Sequence, residues 1–484
     1  MLNLYFGVHM AKSKNTIESR IDYSILLPVL ILLLVGMVSI FIATNFDYPK
    51  NLVHVMSQQL LWIFLGSVLA FVVMLFNTEF LWKVTPWLYI FGLGLMVLPL
   101  VFYSPSLVAS TGAKNWVSIG SVTLFQPSEF MKISYILFLS RIGVRAKQGK
   151  EVTELQDDWL LLFQYVAVTL PVLGLLVLQG DMGTALVFLA ILAGIIVVSG
   201  ISWRIILPVV LVFAASIALF IMVFITDWGK EILLKLGVQT YQINRISAWL
   251  DPFTYADGIA FQQTQGMISI GTGGIYGKGF NHLDLNVPVR ESDMIFTVIA
   301  EDFGLVGGGL VLLTYLFLIY RMLRVTFKSN NRFYTFISTG LIMMIVFHIF
   351  ENIGAAVGIL PLTGIPLPFI SQGGSSLISN LIGVGLVLSM AYHTNLNEEN
   401  KILLAMSRRM RASGTSKVKA VSKTKTKKNK PSKSAIKASQ ELVKAKDTVD
   451  KATVKLRQTI SQIMPSLHQG KRRKGSKKKP TRKH

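Results

Sequence analysis

The sequence predicts an all-α polytopic membrane protein with about ten transmembrane helices and a large extracellular loop between helices 7 and 8. Three observations carry that prediction. Of 484 residues, 52% are hydrophobic and 15% charged, and the mean hydropathy is +0.54, well outside the balance of a water-soluble chain. About ten apolar stretches come near the roughly 20 residues that a helix needs to cross a hydrocarbon core of about 30 Å. The charge is also segregated: Lys401 onward holds 27 of the 48 basic residues and 3 of the 25 acidic ones, leaving a nearly neutral body.

In chain order the spans are 24–45, 59–77, 84–104, 127–143, 159–178, 182–200, 203–226, 294–323, 334–358 and 371–393. The first follows Lys12, Lys14 and Arg20 and lacks a small-residue cleavage signal, so it reads as a retained helix. Glu129 and Lys132 interrupt the fourth, and His348 and Glu351 lie near the end of the ninth. Neither of these two is a plain lipid-facing span. Arg141, Arg145, Lys147 and Lys150 share one loop, Arg204 borders another, and Arg321, Arg324, Lys328 and Arg332 flank a third. The positive-inside rule makes that side, with both termini, cytoplasmic in a multi-pass plasma-membrane protein. The outer side then receives 46–58, 105–126, a tight turn near Asp181, the long loop 227–293 and the turn 359–370. A loop of that length is expected to be ordered and functional.

The domain reading is a cytoplasmic N-terminal segment 1–23, a transmembrane domain 24–395 and a basic, disordered cytoplasmic tail 396–484 with a weak helix near Ile436–Ile463. Runs such as Lys471–Lys474 point to anionic lipids, which a tail on the cytoplasmic face meets first. The tail has no Phe, Tyr or Trp to stack on bases, so no nucleic acid partner is expected. With no cysteine in the chain, disulfides, thiolate nucleophiles and Cys-ligated metals are excluded.

Ionisable groups in apolar spans mark either structural pairs or function. Glu129 and Lys132, three apart, share a helix face and read as an intrahelical ion pair, as do His348 and Glu351. Asp293 stands where the outer loop meets the eighth span, and by itself reads as a helix cap or as a partly desolvated base. Counting 100° per residue puts Glu301 about 80° round from it and Asp302 on the opposite face, so only Glu301 is expected near the same cavity. Trp116 reads as an interfacial anchor or, beside Lys114, as a platform for a sugar or lipid head group. Lys114, Arg245 and Lys278 are candidate partners for an anionic group. The glycine-rich run Gly271–Gly279 lacks the spacing of a nucleotide loop, and a nucleotide site is rejected.

Several separated strings then carry a resemblance. They include Gly112-Ala113-Lys114-Asn115-Trp116, Gln126-Pro127-Ser128-Glu129-Phe130-Met131-Lys132, Gln179-Gly180-Asp181-Met182-Gly183, Arg245 with Asp251-Pro252, Gln265-Gly266-Met267-Ile268-Ser269, Gly277-Lys278-Gly279, Ser292-Asp293-Met294-Ile295-Phe296 and Pro368-Phe369-Ile370-Ser371-Gln372-Gly373-Gly374. In this order, over roughly residues 20–395, they resemble the SEDS family, the group containing RodA and FtsW. The resemblance implies a peptidoglycan glycosyltransferase that polymerises lipid II onto a growing glycan strand beside a class B penicillin-binding protein transpeptidase. It implies that Asp293 matches the essential carboxylate and that Trp116, Glu129 and Lys132 match positions important for activity. Asp181, Gln265 and Ser371 lie in matching strings and join Lys114, Trp116, Glu129, Lys132, Arg245 and Lys278 as candidate substrate-binding residues. Val289 stands where the family usually has a glutamate, and Gly180 where proline is common before Asp181.

On this reading Asp293 is a general base for inverting transfer, with Lys114, Arg245 or a divalent cation such as Mg or Mn answering the departing pyrophosphate. A lipid II flippase is the rival from another class, since ten spans around a polar cavity also suit a carrier. An inactive scaffold for the transpeptidase is a third reading. Elongation of the RodA type is favoured over division of the FtsW type from the segment Val287–Gly304.

Overall fold

Asp22 opens the first helix, α1 (Tyr23–Asp47), by accepting the Ser24 amide at 3.0 Å, the usual way an N-cap satisfies an orphan donor. This computed structural model describes residues 21–120, 122–147, 154–235 and 240–424. Lys12, Lys14, Arg20, Lys150, the tail helix at Ile436–Ile463 and the run Lys471–Lys474 lie outside the described residues. The chain divides into two compact units, Met1–Asn400 and Lys401–His484, and the account below concerns the first.

After α1 come α2 (Leu52–Met74), α3 (Thr78–Val101), the short α4 (Pro105–Thr111) and a two-stranded antiparallel hairpin, β1 (Val117–Ile119) with β2 (Val122–Phe125). Then follow α5 (Pro127–Ala146), α6 (Leu155–Gln179), α7 (Met182–Val198) and α8 (Trp203–Phe224). The long loop carries α9 (Asp227–Lys235), α10 (Thr240–Leu250) and α11 (Phe261–Gly273), as expected of an ordered segment. The chain continues through α12 (Ile295–Ser329), α13 (Arg332–Ala356) and α14 (Ser375–Thr424).

Eight helical stretches among the described residues are long and apolar enough to cross a membrane: α1, Pro49–Met74, α3, α6, α8, α12, α13 and Ser375–Ala405. The other two expected spans are α5 and α7. The first carries Glu129, Lys132, Arg141 and Arg145 in 20 residues, and the second has 17. Both bury much of their length against other helices. A charged helix at membrane depth needs that protein surround.

Two joints position the functional side chains. Gly180 ends α6 in the left-handed region (φ 74°), and Asp181 then caps α7 by accepting the Thr184 amide at 3.0 Å, making the tight turn the sequence predicts. The second joint is a break inside α12 at Gly304 (φ 63°, ψ −161°). The amides of Leu305 and Val306 turn to the carbonyls of Gly274 and Ile275 at 2.9 and 3.1 Å. The amides of Lys278 and Gly279 donate to Glu301 and Asp302 at 2.9 and 3.0 Å. The backbone freed by the break is thus satisfied by the glycine-rich run, as irregular chain at membrane depth requires. A Cβ on Gly277 would stand 2.1 Å from the Asp302 carbonyl oxygen, so only glycine fits.

The loops sort onto two faces. Lys147 Nζ donates to Asp158 Oδ1 at 3.4 Å and to the Gly200 carbonyl at 3.2 Å, and Arg332 donates to the Lys147 carbonyl at 3.4 Å. Arg321 bonds Asp22 at 3.1 Å, so the start of α1 shares this basic face. The other face gathers the predicted outer segments: the Lys114 amide bonds the Gln179 carbonyl at 2.7 Å, and Trp249 Nε1 bonds the Ile359 carbonyl at 3.1 Å.

Candidate functional site

Asp293 lies in the loop two residues before α12, whose N-cap is Met294, so Asp293 does not cap the helix. Its Oδ1 accepts from Gln262 Nε2 of α11 at 3.3 Å, and the same nitrogen donates to the Pro288 carbonyl at 3.0 Å. The Cβ position of Gly364 is 3.7 Å from Oδ2, so the turn after α13 closes against that oxygen with no side chain in between. Burial pushes the Asp293 carboxyl up to about 7, against the opposing pull of Arg245 and the Gln262 hydrogen bond, while nearby Glu291 adds to the rise. The residue as a whole is half-buried, while its carboxyl group is the part that burial acts on.

The backbone around Asp293 is clamped. Asn352 Nδ2, near the end of α13, donates to the Asp293 carbonyl at 2.7 Å and to the Ile365 carbonyl at 2.9 Å. Ser371 Oγ donates to the Ser292 carbonyl at 2.5 Å and accepts the Leu367 amide at 2.8 Å. The Gln372 amide donates to the Glu291 carbonyl at 2.9 Å. Val289 sits at φ 53° in the same loop, a left-handed conformation that a β-branched residue rarely adopts. Arg245, on α10, donates Nη1 to the Thr363 carbonyl at 3.2 Å, and the Thr363 hydroxyl donates to Glu351.

Glu301 and Lys278 form a separate cluster. Glu301 accepts from Ser269 Oγ at 2.5 Å, Lys278 Nζ at 2.7 Å and the Asp284 amide at 3.1 Å, with Arg290 at 3.8 Å. Lys278 also pairs with Asp284 at 2.8 Å. Glu301 shares none of these partners with Asp293, and the helical count that set it about 80° round does not apply. That count ran a helix through residue 293, whereas α12 begins at Ile295. Asp302 accepts the Asn281 amide at 2.7 Å and so fastens the same glycine-rich loop.

The 105–126 segment is tied down by Asp181. Its Oδ2 accepts from Asn115 Nδ2 at 2.9 Å, Gln126 Nε2 at 3.1 Å and Thr184 Oγ1 at 2.9 Å, besides the cap bond on Oδ1. Just before Asn115, Lys114 Nζ lies 4.6 Å from the centre of the Tyr103 ring. Trp116 is half-buried beside β1. Gln265 is half-buried one turn along α11 from Gln262, so the two glutamines share a helix face.

Deeper in the bundle, Glu129 and Lys132 form the predicted ion pair at 2.9 Å. Lys132 also meets His348 Nε2 at 3.0 Å, while His348 Nδ1 faces the Met344 carbonyl at 2.6 Å. The protonation that suits both contacts puts hydrogen on Nδ1 and leaves Nε2 to accept from lysine. His348 and Glu351 are therefore not the expected pair: one turns inward to Lys132 and the other outward to Thr363. The sequence reading also did not place Asn352 or Thr363 in the site. The signal available for both was their nearness to the predicted outer turn 359–370.

The family model FTSW_RODA_SPOVE, described as "Cell cycle protein", matches residues 22–396. The chain is 32% identical over 383 residues to the peptidoglycan glycosyltransferase MrdB of Escherichia coli K12, covering 78% of this chain and 95% of that one. It is 30% identical over 384 residues to the probable peptidoglycan glycosyltransferase FtsW of Hydrogenovibrio crunogenus, covering 77% and 92%. Its fold is similar to a chain in the structure of a peptidoglycan synthase complex that coordinates polymerization and crosslinking, with a TM-score of 0.61, 28% identity and coverage of 77% and 98%.

Proposed function

This chain belongs to the FTSW_RODA_SPOVE family of cell cycle proteins, and from that premise we propose that it is a peptidoglycan glycosyltransferase that polymerises lipid II at the outer face of the plasma membrane. The observation that carries the reading is Asp293. It is a carboxylate lifted to about 7 by burial and held by Gln262, with the charge of Arg245 close enough to be felt. A base poised near neutral pH takes a proton from a sugar hydroxyl far better than one at the ordinary carboxylate value. The basic face gathering Lys147, Arg321 and Arg332 is then cytoplasmic, which puts Asp293 outside, where the lipid-linked sugar is displayed.

In this mechanism the 4-hydroxyl of one disaccharide attacks the anomeric carbon of the other. Asp293 takes the hydroxyl proton as the carbon–oxygen bond to the lipid pyrophosphate breaks, inverting the centre. The departing negative charge is met by Arg245 and Lys114. Trp116 and Gln265 line the approach as substrate contacts. Asp181, Lys278 and Ser371 are given a holding role, since each is engaged with protein partners that fix an outer loop. Among the described residues no three carboxylate or histidine side chains converge to hold a metal ion, and no step is assigned to one.

The partner we propose is a class B penicillin-binding protein transpeptidase, supported by the likeness to a complex that joins polymerization to crosslinking. Elongation is the role we prefer over division. The support is the segment Val287–Gly304, because identities of 32% and 30% to relatives of the two kinds do not separate them. The basic tail is assigned to anionic lipid at the cytoplasmic surface on its charge. Purified protein should lengthen glycan from lipid II in detergent, where a membrane has no sides. A carrier would move labelled lipid II across vesicles and make no chains.

A further inference from the structure

Two consecutive residues of α13, Glu351 and Asn352, reach the outer turn in different ways. Asn352 fixes the main chain of Asp293 directly, at 2.7 Å. Glu351, 3% exposed, closes no ion pair within 4 Å among the described residues although Arg245 acts on its charge, and its carboxylate receives the Thr363 hydroxyl. Thr363 is also the residue whose carbonyl takes Arg245 Nη1 at 3.2 Å, and Gly364, at φ 78°, follows it against Asp293 Oδ2. Behind Thr363 stands Gly183 of α7, whose Cβ position lies 3.0 Å from the Thr363 side chain, leaving no room for it to swing inward.

We propose that Glu351 is a positioning residue: by holding the Thr363 hydroxyl it orients the Thr363 carbonyl, and through that carbonyl it sets where the Arg245 guanidinium stands relative to Asp293. A buried carboxylate here is expensive and gives no ion pair to a neighbouring helix turn, so a purely structural role is poorly served by it. What it does supply is a strong acceptor at one atom, which fixes the turn's rotation about Thr363. The groups facing Asp293 are Arg245 from α10, Gln262 from α11, Glu291 from its own loop and Asn352 from α13, with the Gly364 backbone closing the far side. Of these only Arg245 is cationic, and it also feels the charge of Glu351. The position of Arg245 therefore sets the one cationic influence among them on Asp293.

The inference rests on Asp293 being the base of the proposed polymerase, so wild type and Asp293→Ala are run first with lipid II. Glycan synthesis that survives Asp293→Ala removes that reading and this inference with it. If Asp293→Ala is dead and wild type active, the reading stands and Glu351 is tested alone. Thr363→Val removes the hydroxyl without changing any charge, and Glu351→Ala removes its acceptor. Each is expected to lower kcat about tenfold with KM within twofold, and to move the acid limb of the pH profile upward by half a unit or more as Arg245 loosens. Glu351→Gln keeps an acceptor oxygen and should recover most of kcat. In an Arg245→Gln background, Glu351→Ala should cost nothing further. An acid limb that stays in place in folded Thr363→Val, or losses that simply multiply in the Arg245→Gln background, would overturn the proposal.

Discussion

Gln262 Nε2 donates to two acceptors at once, Asp293 Oδ1 at 3.3 Å and the Pro288 carbonyl at 3.0 Å, so one amide fixes both the candidate base and the backbone five residues before it. The bond to Asp293 favours the ionised form. Gln262→Leu should raise the acid limb of polymerisation above about 7 and lower the rate at pH 7 several-fold, with most of the loss recovered at pH 8.5. A rate deficit that is the same at all pH values would show that Gln262 acts otherwise.

Asp293 should be a stability liability at the pH where it works. Its folded value of about 7 lies above the ordinary 3.8, so the native state holds its proton more tightly than the unfolded chain does. The stabilisation from that proton is complete below 3.8 and lost as pH rises through 7. Asp293→Asn should therefore melt higher than wild type by about 2–4 °C at pH 8.5, the shift that ~1 kcal/mol gives. The advantage should be smaller at pH 5 and vanish only below 3.8, as thermal melts across that range would show.

The break in α12 makes a contrast between two glycines. Gly277→Ala meets the Asp302 carbonyl at 2.1 Å and should destabilise severely or abolish folding. Gly274 has a positive φ of 58° as well but open space around its Cβ position, so Gly274→Ala should cost only backbone strain of about 1–3 kcal/mol. Equal melting temperatures for the two variants would contradict the close docking of the glycine-rich run.

The Glu129–Lys132 pair should behave as a unit. Lys132→Met leaves a carboxylate buried without its cation and should cost about 3–5 kcal/mol, while Glu129→Gln with Lys132→Met should restore most of it. Denaturation of wild type and the two variants decides the matter: if the double variant is as unstable as the single, Lys132 holds the fold through His348 rather than through Glu129.

What the sequence disclosed is what local spacing can disclose. The helical spans follow from apolar length, the Asp181 turn from a Gly-Asp step, and the Glu129–Lys132 pair from a separation of three on one helix. What it hid depends on contacts between distant segments. Lys132 and His348 are 216 positions apart, and nothing in either neighbourhood announces the other. Reading His348 with Glu351 applied the same local rule where tertiary packing turned the two side chains in opposite directions. The glycine-rich run lacks the spacing of a nucleotide loop, and its glycines serve instead a close backbone approach to a broken helix, which spacing alone does not announce. Asp293 was legible as a candidate from its place at the membrane surface and from the family resemblance. Arg245, Thr363 and Glu351 became one arrangement only once α10, α13 and the outer turn were brought together.

The most direct test is the amount and length of glycan made from purified lipid II by wild type and by Asp293→Ala, with both proteins shown to be folded. General-base assistance is typically worth about 10² to 10⁴ in rate, so the variant should make no detectable polymer. Chains of near-normal length and yield from folded Asp293→Ala would contradict the account.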